Sequence, residues 1–252
     1  MAVGGTEALL KLESVTKRFG GVQAVSAFSL QIVPGEIVGL IGPNGSGKST
    51  CVNLISGMIL PSSGRIHFRG TEITGKAQSE RVRLGLARTF QTTSIFPEFS
   101  CLENILMGSH VASAPAIAGQ KALSRRRNDQ AQEVLEFIGL GAVAAELAGA
   151  ISSAQQRLLM VAIAIASGPS LVLLDEPAAG MVAQERRELA GLVRRIRDSG
   201  TAVLLIEHHM GLIMEVCDRV TVLNFGQMIA QGSPRAIAAD PAVIEAYLGK
   251  AN

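Results

Sequence analysis

The chain has 252 residues, which is enough for one large α/β domain or two small ones. Hydrophobic residues make up 48% of it and aromatic residues only 4%, so we expect a sheet buried on both faces by aliphatic side chains. The net charge of +2 is too small to indicate nucleic-acid binding. The cysteines Cys51, Cys101 and Cys217 are far apart and odd in number, which argues against a disulfide framework and favours a reducing compartment. We see no secretory signal pattern and no apolar run of about 18 residues, so a cytoplasmic protein is expected.

The first predicted element is a pair of antiparallel strands at 9–15 and 22–33, which turns at Phe19-Gly20-Gly21. A short apolar run at 37–41 then predicts a buried strand. We expect a helix at 49–56 with Gly57 as its C-terminal stop, and further strand structure at 64–74.

The middle of the chain, roughly 94–160, has helical periodicity and predicts a mainly helical insertion. The sequence beyond it predicts buried strands at 171–174 and 202–206, a helix at 184–197, a hairpin at 219–231 that turns at 224–227, and a terminal helix that begins with Ser233-Pro234. Because strands alternate with helices, we expect a parallel sheet with crossover helices.

One segment matches G-x-x-x-x-G-K-[ST] at every fixed position: Gly42-Pro43-Asn44-Gly45-Ser46-Gly47-Lys48-Ser49-Thr50. It lies between a predicted strand and a predicted helix, which is the context that this phosphate-binding loop requires. Its glycines let successive N–H groups face an anion, and the helix N-terminus adds a partial positive charge. Lys48 is expected to contact the β- and γ-phosphates, and the Ser49 hydroxyl to ligate Mg²⁺. The segment therefore predicts an ATP or GTP site rather than an incidental glycine-rich turn.

Two carboxylates follow the buried strand at 171–174, at the end of the strand where ligands bind in such sheets. Asp175 is expected to hold the Mg²⁺ shell. Glu176 is expected to orient or deprotonate the attacking water. The alternative is that either residue only caps the next helix, but the phosphate loop favours the catalytic interpretation.

Two further polar residues are candidates by position. His208 follows the strand at 202–206, so it is expected at the same edge of the sheet, where an imidazole can contact the γ-phosphate. Its neighbour His209 competes for this role. Gln91 lies where the core gives way to the helical insertion, and its amide can ligate Mg²⁺ or water.

With these residues in view, the chain resembles the nucleotide-binding subunits of ABC transporters over essentially its whole length. Segment 42–50 is similar to the family's Walker A, and 171–177 to its Walker B with Glu176 as the catalytic glutamate. Gln91 matches the Q-loop, and His208, not His209, matches the switch histidine.

Phe19 also matches a family feature, the aromatic residue that stacks on adenine; without the resemblance we would expect a core phenylalanine. The resemblance implies a P-loop NTPase with a RecA-like, mainly parallel α/β core, an antiparallel β subdomain and a helical subdomain. It implies one ABC domain over 8–250, with the core at 1–93 and 158–252 and the helical subdomain at 94–157.

Within the family, the chain resembles uptake cassettes for branched-chain and other hydrophobic amino acids, although cassettes for urea or short amides look similar. The matching segments are 18–21, 88–91, 175–180, 205–208 and 246–249. The resemblance implies docking on membrane permease subunits, an indirect link to a solute-binding protein, and a peripheral location on the inner face of the membrane.

The chain departs from the family at the signature, which usually reads Leu-Ser-Gly-Gly-Gln. The matching stretch is Ile151-Ser152-Ser153-Ala154-Gln155, in which both glycines are replaced. Ser152, Ala154 and Gln155 are the positions that the resemblance places against the nucleotide of a second cassette. Val182 also replaces the Asp or Asn of the D-loop, and Ile163 stands where an Arg is common.

These departures suggest a division of function. The groups that act on the chain's own ATP are all present: Lys48, Gln91, Asp175, Glu176 and His208. The groups that act on the partner's ATP are altered. A heterodimer with a different cassette is therefore favoured over a homodimer, although Ala154 is also compatible with a simply tolerated substitution.

Two functional alternatives stay open. One is a soluble ABC-type ATPase that acts on nucleic acid or ribosomes; the single cassette and weak charge argue against it, so no nucleic-acid partner is expected. The other is a poorly hydrolysing regulatory cassette, which the altered signature suggests.

Overall fold

The computed structural model describes residues 7–89, 95–109 and 120–248. Two sheets form its framework. The smaller is antiparallel, in the order β2-β1-β4-β5, and the larger has six strands in the order β10-β9-β3-β8-β7-β6. The strands are β1 Leu10–Phe19, β2 Val22–Ile32, β3 Ile37–Ile41, β4 Ser63–Phe68, β5 Thr71–Glu72, β6 Leu86–Arg88, β7 Leu171–Asp175, β8 Ala202–Ile206, β9 Arg219–Asn224 and β10 Gln227–Gly232.

The helices follow the predicted alternation. They are α1 Lys48–Ser56, α2 Gln78–Arg83, α3 Cys101–Ser109, α4 Gln120–Ile138, α5 Ser153–Ile165, α6 Ala183–Asp198, α7 Met210–Val216, α8 Pro234–Ala238 and α9 Pro241–Leu248. The predicted stop of α1 is confirmed, since Gly57 adopts the left-handed conformation at its C-cap. The predicted start of α8 is also confirmed, since the Ser233 side chain accepts a hydrogen bond from the Ala236 N–H.

The large sheet is mainly parallel. Strands β9, β3, β8, β7 and β6 pair in parallel, and only β10 is antiparallel, as the second strand of the predicted hairpin. The carboxyl ends of β3, β8 and β7 are therefore neighbours. The residues that follow these three strands must meet at one edge of the sheet, where ligands bind in such folds.

Alternate residues of the central strands enter two different cores. In β3, Val38 and Leu40 face the core shared with the antiparallel sheet and α1, whereas Ile37 and Ile41 face the core shared with the helices that follow. All five residues of this strand are buried. Because each buried aliphatic side chain contributes roughly 1.5–3 kcal/mol, the sheet is a rigid support for the loops at its edge.

The region between β6 and β7 is mainly helical where it is described. Helices α3, α4 and α5 pack against one another, and α5 also contacts β6 and β7. The predicted domain limits at 93, 94, 157 and 158 stay predictions; α5, which begins at Ser153, runs across the second of these limits. The sequence pattern did not predict α2, β6 or α7, each of which is seven residues or shorter.

Candidate functional site

The predicted phosphate loop connects β3 to α1. Gly42, Gly45 and Gly47 have positive φ angles of 151°, 76° and 106°. A Cβ at Gly42 would lie 2.1 Å from the Leu223 carbonyl oxygen, so the close approach of the hairpin β9–β10 requires glycine there. The N-terminus of α1 has no side-chain cap. Its first N–H groups therefore lack an intrahelical partner and are suited to binding an anion.

Lys48 begins α1, and its ammonium group turns back to the loop. Its Nζ donates to the carbonyl oxygens of Gly42 at 2.7 Å and Pro43 at 3.0 Å. Burial lowers the pKa of Lys48, while the nearby charges of Glu176 and Asp175 act in the opposite direction. Lys48 therefore interacts electrostatically with both predicted acidic residues. The next residue, Ser49, is exposed.

Asp175 is the last residue of β7 and is buried. Its Oδ2 accepts a hydrogen bond from Arg88 Nη2 at 3.0 Å, whereas its buried Oδ1 has no hydrogen-bond partner among the described residues. Burial raises the pKa of Asp175, and the contact with Arg88 opposes that shift. An unpartnered carboxylate oxygen is a hard ligand of the type that Mg²⁺ binds.

Glu176 leaves the end of β7 in a left-handed backbone conformation, with φ of 49°. Such a conformation costs on the order of 1–3 kcal/mol for a residue other than glycine, and it is often found at functional sites. The Glu176 N–H donates to the Ile206 carbonyl at 2.9 Å, which holds this turn against the end of β8. The side chain is partly exposed and lies 3.9 Å from His208, measured from Oε1 to Nδ1.

The two histidines after β8 differ in their surroundings. His208 is exposed and faces Glu176, whereas the buried Nδ1 of His209 has no hydrogen-bond partner among the described residues. Glu207 connects the residues after β8 to the turn after β7. Its carboxylate accepts hydrogen bonds from the N–H groups of His208 and His209 and from the N–H group of Ala178. Burial raises the pKa of this glutamate.

Phe19 lies at the end of β1 and is 50% exposed, so the alternative that it is a core residue is wrong. The Lys17 ammonium lies 5.0 Å from the centre of its ring. The exposed face of an aromatic ring is free to stack on a planar ligand. Gln91 lies outside the described residues.

The altered signature forms the start of α5. The Ser152 hydroxyl accepts from the Gln155 N–H at 3.2 Å, and the Gln155 side chain accepts from the Ser152 N–H at 2.9 Å. This reciprocal pair is a capping box. Ser153 and Ala154 are the first two helical residues, so neither position needs glycine for its backbone conformation in this structure. The Ser153 side chain is exposed, whereas the Ala154 side chain is partly buried and packs against the core.

Two polar residues of the site were not assigned a role from the sequence: Arg88 pairs with Asp175, and Glu207 anchors the turn after β7. The hydroxyl of Ser46, which was predicted as part of the phosphate loop, is buried without a hydrogen-bond partner among the described residues. Arg88 ends β6, beside β7, and the sequence did not predict this strand. The sequence signal for Arg88 was its place in the segment 88–91, which matches the amino-acid cassettes.

Comparison with known proteins identifies the family. A family described as "ABC transporter" matches residues 25–179, which is more than half of the chain. The chain belongs to the ABC transporter family. A second family, described as "Branched-chain amino acid ATP-binding cassette transporter", matches residues 227–251.

Two curated ABC relatives are similar over almost their whole length. The high-affinity branched-chain amino acid transport ATP-binding protein LivG of Escherichia coli (strain K12) is 38% identical, with 98% of this chain and 100% of the relative covered. The corresponding protein BraF of Pseudomonas aeruginosa is 37% identical, with 96% and 98% covered. A crystal structure of the ADP conformation of MJ1267, an ATP-binding cassette of an ABC transporter, matches with a TM-score of 0.87 and 31% identity, covering 97% of this chain and 100% of that one.

These findings confirm the predicted family and the ABC ATPase fold. The chain is the ATP-binding, ATP-hydrolysing subunit of an ABC transporter. Within the described ranges, no helix is both long and apolar enough to cross a membrane.

Proposed function

We propose that the chain binds MgATP in the loop at 42–50, hydrolyses it with Glu176, and energises the import of branched-chain or other hydrophobic amino acids. The observation that carries the catalytic part is the meeting of Lys48, Asp175, Glu176 and His208 at the adjacent ends of β3, β7 and β8. The solute class is supported by the names of LivG and BraF and by the family that matches 227–251.

The phosphates would be bound by backbone N–H groups of the loop, which Pro43 lacks. The loop residues are Gly42, Pro43, Asn44, Gly45, Ser46, Gly47, Lys48, Ser49 and Thr50. The Lys48 ammonium donates hydrogen bonds to two carbonyl oxygens of the loop. A bound β- or γ-phosphate would replace these neutral acceptors with a charged one, and a charge-assisted hydrogen bond is the stronger contact. The exposed ring of Phe19 would stack on the adenine.

The metal ligands would be the Ser49 hydroxyl, Asp175 and Gln91. The described residues contain no group of three acidic, histidine or cysteine side chains that could hold a metal alone. This fits Mg²⁺, which is usually bound by one or two carboxylates together with substrate phosphates. When bound, the ion neutralises charge on the β- and γ-phosphates. Asp175 has a buried oxygen suited to it.

Glu176 would accept a proton from the attacking water, or orient that water for attack. Its backbone is fixed by the hydrogen bond to Ile206, so the carboxylate projects from the rigid end of the sheet. His208 would contact the γ-phosphate and keep Glu176 in place from the opposite side. Loss of a general base typically costs about 10²–10⁴ in rate.

A second cassette would complete the site. We favour a heterodimer, in which an intact signature on the partner closes this chain's own loop. The partner's nucleotide would then meet Ser152, Ala154 and Gln155. Support comes from the exposed start of α5, where the two glycines of the usual signature are replaced by residues with side chains.

Permease subunits would dock in a groove between α2 and the helices α3 and α5. A cavity of about 420 Å³ lies between α2, the end of β6, α3 and α5. Its lining is mostly apolar and includes Val82, Ala87, Met160 and Ile163. Docking there would hold the cassette at the inner face of the membrane, with a solute-binding protein linked only indirectly.

The test is ATP turnover by the chain assembled with its partner cassette and permease. E176Q is expected to lower turnover by about 10²-fold or more while ATP binding persists, because the amide cannot accept the proton. E188Q is the matched control, since Glu188 lies on the exposed face of α6. Equal turnover in E176Q and the wild type would contradict the proposed function. Uptake of radiolabelled leucine into vesicles then tests the solute class.

A further inference from the structure

Arg88 joins three elements of the nucleotide site. Its Nη2 donates to Asp175 Oδ2 at 3.0 Å, and its Nη1 donates to Asn53 Oδ1 at 2.7 Å and to Ser56 Oγ at 3.1 Å. The two charged side chains are only 9% and 2% exposed. One guanidinium group therefore ties the end of β7 to α1, the helix that begins at Lys48.

These contacts fix the direction of the Asp175 carboxylate. The backbone of Asp175 is held as well, because its N–H donates to Thr89 Oγ1 at 3.1 Å. Because Arg88 engages only Oδ2, the other oxygen remains available to a ligand. The planar guanidinium fork holds two acceptors at a set angle, which a lysine ammonium cannot reproduce.

We propose that Arg88 is a positioning residue that holds Asp175 in the orientation needed to bind the metal of MgATP. The proposal rests on the proposed function of this site. Arg88 does not touch the nucleotide loop itself through these contacts; it acts on the metal through Asp175. Partners of metal ligands fix ligand orientation, and their removal typically costs about 10–100-fold in metal affinity.

Arg81 is a second arginine that binds α1, and it can be compared with Arg88. Its side chain is fully buried, and its guanidinium also binds α1, where Nη1 donates to the carbonyls of Leu54 at 2.7 Å and Ile55 at 2.9 Å. These bonds satisfy the C-terminal end of the helix, and none of them reaches Asp175. Arg81 thus supports α1 without orienting the metal ligand, so its loss should affect stability alone.

The experiment measures binding of a non-hydrolysable ATP analogue by calorimetry, first in EDTA and then over a series of MgCl₂ concentrations. The variants are R88K, R88Q and N53A, and the comparators are R81K and the exposed R83Q. We expect R88K and R88Q to raise the half-maximal Mg²⁺ concentration by about tenfold without changing binding in EDTA. R81K should lower the melting temperature but leave the Mg²⁺ requirement as in the wild type.

R88K separates geometry from charge. If it behaves like the wild type while R88Q binds Mg²⁺ more tightly, Arg88 acts only as a repelling charge and the proposal is wrong. A loss of binding in EDTA equal to the loss in Mg²⁺ would also overturn it, because the effect would not concern the metal.

If the Arg88 variants do not fold, N53A tests whether Arg88 positions Asp175. It removes one anchor of the guanidinium but keeps its charge, so a smaller rise in the Mg²⁺ requirement is expected; an unchanged requirement would overturn the proposal. If the wild type itself binds the analogue equally with and without Mg²⁺, the proposed metal site fails together with this inference.

Discussion

The two regions of the chain that face ATP in the proposed dimer are built in different ways. The groups for its own nucleotide stand at the ends of β3, β7 and β8, so strand pairing across the sheet sets their positions. The signature segment is a local structure, a capping box at the start of α5. A capping box needs Ser152 and Gln155 but not the residues between them. The loss of both glycines therefore leaves the helix start intact and changes only what it presents to a partner.

The backbone of a segment and the surface it presents to a partner can therefore change independently. Ser153 and Ala154 adopt helical conformations, in which glycine is less favourable than alanine by about 1 kcal/mol. The substitutions thus favour the helix while they add volume where the partner's nucleotide would lie. The described groups for this chain's own ATP, by contrast, keep the residues of the family pattern: Lys48, Asp175, Glu176 and His208.

The largest effect is expected from K48A, which removes a group that would bind this chain's own ATP. Removing the ammonium takes away a preorganised charge on the β- and γ-phosphates, and we expect kcat/KM for ATP to fall by about 10³. Steady-state ATP hydrolysis by the assembled transporter measures it. K11A is the control, since Lys11 pairs with Glu13 on the antiparallel sheet and is exposed. A turnover near that of K11A would exclude Lys48 from the site.

H208A should have the next largest effect. The imidazole lies 3.9 Å from Glu176 and is expected to contact the γ-phosphate, so its loss should lower kcat by about 10² with little change in ATP affinity. The neighbouring H209A serves as control and should retain the wild-type kcat. If H209A lowers kcat and H208A does not, the two histidines were assigned in the wrong order.

Restoring the glycines tests the signature segment at the start of α5. In a background with E176Q, where only the partner's site turns over, S153G with A154G is expected to raise ATP turnover severalfold. The same double variant should lower the free energy of unfolding by about 1–2 kcal/mol, because glycine weakens the start of α5. A242G, an exposed alanine in α9, controls for helix destabilisation alone. Unchanged turnover would mean that Ala154 is simply tolerated.

A smaller, pH-dependent effect is expected at Glu207. Burial raises the folded-state pKa of its carboxyl above the ordinary 4.5, so the stability it contributes is present at low pH and is lost as pH rises through that pKa. E207Q does not titrate there. The difference in melting temperature between the wild type and E207Q should therefore shift in favour of E207Q as pH rises. A constant difference from acid to neutral pH would show that Glu207 does not titrate in this range.

Much of the site could be predicted because its signals are local. The phosphate loop is a continuous motif, and Asp175, Glu176 and His208 directly follow apolar runs that are typical of buried strands. The exposure of Phe19 could not be read from the pattern of β1 and came only from the family resemblance.

The supporting polar contacts could not be predicted because they join distant parts of the chain. Arg88 meets Asn53 across 35 positions and Asp175 across 87, and Glu207 meets Ala178 across 29. No periodicity records such pairs. The helix α7 was missed for another reason, since its seven residues are too few for a helical pattern to stand out.

In the proposed heterodimer, this chain's own site carries most of the ATP turnover. The test compares E176Q in this chain with the equivalent substitution in the partner cassette, each measured as ATP turnover by the assembled transporter. We expect E176Q in this chain to remove most of the activity and the partner substitution to remove only a small part. Equal losses from the two substitutions would contradict it.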